Sequence, residues 1–114
     1  MRYAVVRTDG THALIETDGR LQLDEMQKLV AAPNEIQPFV EAVGGPNLTI
    51  FINENGKSLP LATNWAVTQY AQAHRLIWPN DDIRGDCVIT GTPDDEGYEQ
   101  DVDDDVLNTI LSYL

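Results

Sequence analysis

Residues 2–8, RYAVVRT, are rich in apolar and β-branched side chains, and Asp9-Gly10 follows at once. An Asp-Gly pair accepts the backbone angles of a tight hairpin turn. The chain is therefore expected to return along 12–17, HALIET, until a second pair, Asp18-Gly19, closes that strand. The period then changes. In LQLDEMQKLVAA, Leu23, Met26, Gln27, Leu29 and Val30 form a mostly apolar stripe, which predicts a helix over 23–31. Asp24 and Glu25 fall in its first turn, where unpaired N–H groups favour acids, and Pro33 ends it. NEIQPFVEAV alternates weakly and predicts a strand over 35–40, placed at a sheet edge or broken because Pro38 offers no N–H. Gly44-Gly45-Pro46 reads as a turn. NLTIFIN, 47–53, has the clearest strand character of the chain. The turn Asn53-Glu54-Asn55-Gly56 follows, and then the irregular KSLPLATN.

Asn64 is placed to cap a helix over 65–76, WAVTQYAQAHRL, with Trp65 expected in the core and Trp78 partly exposed. Pro79-Asn80-Asp81 breaks that helix. DIRGDCVITG predicts a turn and then a buried strand through Cys87, Val88 and Ile89. A loop over 92–103 leads into a last helix at about 104–113, where Val106, Leu107, Ile110, Leu111 and Leu114 share one stripe.

The predicted order is β-β-α-β-β-α-β-α. Two hairpin-type connections make the expected sheet mostly antiparallel or mixed, with about five strands, so the class is α+β. A chain of 114 residues has room for one domain. It can bury a core without disulfides or metal, and its single cysteine, Cys87, allows no internal disulfide. No stretch approaches the apolar length of a membrane span, and the N-terminus lacks the apolar run of a signal peptide. A cytoplasmic location is expected.

Charge alters this ordinary picture. The chain carries 19 acids against 7 bases, a net charge of −12. The excess is local: residues 94–114 hold eight acids and no base, while residues 1–93 hold eleven acids and seven bases. Direct nucleic-acid binding is disfavoured, because no basic patch is present to release counterions from a phosphate backbone. An anionic membrane surface is disfavoured for the same reason. A basic protein partner is permitted, and solubility alone also accounts for such a surface. Asp101, Asp103, Asp104 and Asp105 lie where acids complement the start of the last helix, with Asp103 or Asp104 as its cap. Asp94, Asp95, Glu96 and Glu99 have no such explanation and are the candidate partner-binding surface. The strong stripe of the last helix suits packing on its own sheet or a homo-oligomer contact.

Known catalytic and metal patterns fit poorly. Setting Gly97 at the sixth position of a calcium loop puts Thr92 first and Asp103 twelfth, where such loops use a carboxylate and a bidentate Glu. Cys87 sits in a buried strand, where a thiol behaves as a small hydrophobe rather than a nucleophile paired with His12 or His74, and two histidines and one cysteine spread along the chain do not supply the closely spaced ligands of a zinc site. No glycine-rich phosphate loop occurs. No catalytic residue, metal or cofactor is expected. Asn53, Glu54 and Lys57 form a turn whose N–H groups and one cation suit an anionic, nucleotide-like ligand, with Asn64 as a second polar contact.

Three segments together resemble a small uncharacterised family of phages, plasmids and bacteria. The first holds Leu29, Val30, Glu35 and Ile36. The second holds Asn53, Glu54, Gly56, Lys57, Leu59, Pro60 and Asn64. The third holds Ile83, Gly85, Asp86, Val88 and Gly91. Ala31 and Ala32 stand where the family pattern has Gly-Gly, and Asn55 where it has a second Glu. The resemblance implies a fold and a mobile-element setting; the family carries no known activity. Joined to the acid run, it leads to an expectation of a non-enzymatic phage or plasmid accessory protein. Such a protein would engage a basic host protein, in the manner of an anti-defence protein or nucleic-acid mimic. Binding of a small anionic ligand at the Asn53–Lys57 turn is the alternative.

Overall fold

The computed structural model describes residues 1–114. Its elements are β1 (Arg2–Val6), β2 (His12–Glu16), α1 (Leu23–Val30), β3 (Val40–Gly44), β4 (Thr49–Asn53), α2 (Trp65–Ala73), β5 (Cys87–Thr90) and α3 (Asp104–Leu111). The strands form one sheet in the order β2-β1-β5-β4-β3, and every neighbouring pair is antiparallel. β1 with β2, and β3 with β4, are local hairpins. β5 lies between them and joins the two halves.

The sheet is covered on both faces. Ala4, Val6, Ile50, Cys87 and Ile89 point to one face and pack with Ala66, Val67, Tyr70 and Ala71 of α2 and Leu107 and Ile110 of α3. Tyr3, Val5, Phe51 and Val88 point to the other face, under α1, where Val30 seals a smaller cluster. Side chains alternate between faces along a strand. A central strand covered on both sides must therefore be apolar throughout, which explains the unbroken runs in β1, β4 and β5. Cys87 is fully buried, and burial pushes its thiol well above the ordinary range.

Two expectations are corrected. The strand placed at 35–40 lies instead at Val40–Gly44. Residues 35–39 are a loop, because Pro38 cannot join a ladder and Glu35 is drawn aside to accept hydrogen bonds from Ala32 N and the Asn53 side chain. Trp65 is not a core residue. It occupies the first turn of α2 and is 65% exposed, while its neighbours Ala66, Val67, Tyr70 and Ala71 turn inward. Most of the stripe of α3 packs within the chain, since Leu107 and Ile110 are buried in the larger cluster and Val106 and Leu111 pack against it, while Leu114 is left 59% exposed.

The acid loop is tied down at its base. Gly91 N donates to Gln100 O, and Val102 N to Arg2 O, both at 2.9 Å. Arg2 N donates to the Asp101 carboxylate at 2.9 Å. A side chain at Gly91 would stand 2.4 Å from the Asp101 carbonyl, so only glycine allows the strands to close there.

Candidate functional site

Two places stand out, at opposite ends of β5. The first follows its C-terminal end. Residues 92–100 form a small hairpin in which Pro93 bridges to Glu99 and Asp94 N donates to Tyr98 O at 2.8 Å. The Asp94 carboxylate accepts from Glu96 N at 2.9 Å and Tyr98 N at 3.0 Å, so it holds the turn together rather than facing a partner. Gly97 supplies the positive φ of that turn. The guanidinium of Arg20 lies 3.2 Å from the centre of the Tyr98 ring and fastens the hairpin to the connection between β2 and α1.

Of the eight acids from 94 onward, four have structural work. Asp94 holds the turn. Asp101 receives Arg2 N, and Asp104 pairs with the Arg2 side chain. Asp103 caps α3, accepting from Asp105 N at 2.8 Å and Val106 N at 3.1 Å. Asp95, Glu96, Glu99 and Asp105 pair with no cation. The expected surface of Asp94, Asp95, Glu96 and Glu99 is thus brought together on one hairpin, with Asp94 as its brace.

The second place is a groove of about 660 Å³ along β3 and the end of β4. Its other wall is the segment that follows α2. Glu41 and Val43 of β3 and Ile52 of β4 line it on one side, and Leu76, Ile77 and Trp78 on the other; Glu54, Lys57, Asp81, Asp82 and Arg84 close one end. That volume lies within the range of ordinary ligand pockets. The indole of Trp78 is 78% exposed.

The charges of the groove are largely matched. Lys57 pairs with Asp81 and reaches Asp82 at 3.8 Å, and Arg84 Nε donates to Asp82 at 2.9 Å. The hydrogen bond from Lys57 holds the Asp81 carboxyl below its ordinary range, and the same bond raises Lys57. Burial pushes Asp82 upward, but hydrogen bonds from Thr63 and Arg84 outweigh it and leave Asp82 lowered. Glu41, Glu54 and Arg75 remain without ion pairs. Arg75 is unusual in another respect. It ends α2 at φ 57°, the left-handed position that glycine usually fills. There Leu76 N bonds back to Ala71 O at 2.8 Å and Arg75 N to Gln72 O at 3.1 Å. A side chain in that conformation costs about 1 kcal/mol.

The structure divides the residues named for an anionic ligand. Asn53, Glu54 and Lys57 do line the groove, but Lys57 is already neutralised. Asn53 spends its side-chain amide on Val30 O at 3.1 Å and on Glu35 at 2.7 Å. Asn64 is buried away from the groove: its Nδ2 donates to Val6 O at 2.9 Å and Gly85 O at 3.1 Å, and its Oδ1 accepts from Val67 N as the cap of α2. Asn53 and Asn64 are therefore fold residues, and two free acids against one free base do not favour an anion. Glu41, Arg75, Asp81 and Asp82 were not foreseen as groove residues. They come from three separated segments, and only the strand order brings them together.

A family model described as a domain of unknown function (DUF3846) matches residues 1–114. No curated protein and no solved structure matches the chain.

Proposed function

The chain belongs to the DUF3846 family, and we propose that it is a binding protein, acting without catalysis, that engages a basic protein through the acidic hairpin at 92–100 and the adjoining start of α3. The observation that carries this reading is the division of labour among the acids. Asp95, Glu96 and Glu99 stand on a braced hairpin with no cation to answer them. Fixed, unpaired charge of one sign steers an oppositely charged partner and sets its orientation. Because the hairpin is braced by Asp94 and by Arg20 on Tyr98, little ordering is required on binding. A phage or plasmid accessory that meets a nucleic-acid-binding host protein is the setting this reading favours, with the carboxylates taking the place of phosphates.

The test separates the hairpin from the charge of the whole molecule. Tagged protein is purified gently from a lysate of its host and its complexes are weighed by native mass spectrometry. The Asp95→Asn/Glu96→Gln/Glu99→Gln variant is expected to lose a co-purifying basic protein. A variant of equal net charge, Glu16→Gln/Asp18→Asn/Asp24→Asn, is expected to keep it. Equal loss in both variants, or retention in both, refutes the hairpin as the contact.

A further inference from the structure

β3 is an edge strand that pairs with β4 alone, in the register Val40–Asn53 through Gly44–Thr49. Two flanking bonds, Glu54 N to Phe39 O and Gly45 N to Leu48 O, extend that ladder and mark the odd-numbered residues as those bonded to β4. In an antiparallel ladder the intervening residues turn their N–H and C=O groups away from the partner. Val40, Ala42 and Gly44 therefore present theirs along the outer edge, and no turn or loop backbone bonds to them. Exposed edges are usually blunted by charged side chains, lysine above all, by proline or by a bulge. β3, VEAVG, contains neither lysine nor proline, its one charged residue is Glu41, and its register is continuous.

The groove runs beside this edge. Val43 and Ile52 belong to the α2 and α3 face, and Glu41 lies on that same face by alternation. With Lys57 and Arg84 engaged by Asp81 and Asp82, the unpaired groups are Glu41 and Glu54 against Arg75. The exposed indole of Trp78 adds a π-face, which attracts cations. The opposite edge, β2, borders no comparable groove.

We propose that β3 accepts an extended segment of a basic protein as a sixth strand. Main-chain hydrogen bonds form to Val40, Ala42 and Gly44. Lysine or arginine side chains at alternate positions lie in the groove against Glu41, Glu54 and Trp78. Strand addition of this kind takes affinity from the backbone and specificity from alternate side chains. The inference relies on the preceding reading only for the sign of the partner's charge.

The probe is a capped octapeptide of alternating lysine and valine, with a glutamate–valine peptide as control, and the readout is amide exchange by NMR. At about ten times the Kd, exchange at Val40, Ala42 and Gly44 is expected to slow roughly tenfold, because only the unbound fraction exchanges. Ala42→Pro removes one outward N–H that β4 does not use, and is expected to weaken binding about tenfold with the melting temperature little changed. Glu41→Gln/Glu54→Gln leaves the backbone untouched and is expected to weaken binding about fivefold. The triple hairpin variant is expected to bind the peptide as the parent does, so failure here and failure of the hairpin reading are separate results. Binding without protection of those three amides overturns the proposal, as does equal binding of the glutamate peptide. Protection that rises with protein concentration in the absence of peptide makes a second copy the occupant, and also overturns it.

Discussion

Asn64 shows how one side chain can be read correctly for one role and wrongly for another. Its place before an apolar helix marked it as a cap, and it is one. The same polarity suggested a ligand contact, but both amide hydrogens are taken by the carbonyls of Val6 and Gly85. Those carbonyls come from distant segments, so nothing near Asn64 in the sequence reveals the demand. The residue therefore links β1, the turn before β5 and α2 at a position only 1% exposed. Asn64→Ala removes the cap and strands buried acceptors, and is expected to cost about 2–4 kcal/mol in urea unfolding. Asn64→Asp keeps the cap oxygen but loses both donations and buries a charge, so it is expected to cost at least as much. A milder Asp variant would show that the cap outweighs the two carbonyls.

At the scale of elements, the order and type of all eight were legible in the sequence, because β-branched, apolar runs closed by turn pairs give way to stripes spaced about 3.6 residues apart where strands give way to helices. The strand with the weakest signal was misplaced. β3 is half exposed, pairs on one side only and ends in Gly44-Gly45, which reads as a turn. Of the groove only the Asn53–Lys57 turn was legible, since pairing order decides which segments meet and local pattern does not record pairing order. α3 is the opposite case, its stripe being strong and its burial following directly. Ile110 is fully buried among residues of α2 and the sheet. Ile110→Ala is expected to destabilise the protein by about 2–5 kcal/mol in chemical denaturation. A cost below about 1 kcal/mol would mean that α3 is only loosely docked.

For the whole molecule, a net charge of −12 is carried within a radius of gyration of 13.0 Å. The screening length at 0.1 M salt is about 10 Å, close to that radius. Self-repulsion therefore acts across the entire fold at low salt. The melting temperature is expected to rise as sodium chloride increases from about 0.02 to 0.5 M. A fall would show that pairs such as Arg2 with Asp104 and Lys57 with Asp81 outweigh the repulsion. The strand order carries a consequence in time as well as in space. Synthesis delivers the two hairpins first and the strand between them last, at Cys87–Thr90. Until that strand leaves the ribosome, β1 and β4 have no common neighbour, and the nascent chain carries four open strand edges where the finished protein has two. The sheet is thus assembled like an arch whose keystone is set at the end, and a chain halted before residue 87 leaves two unjoined halves with the edges most prone to pair wrongly.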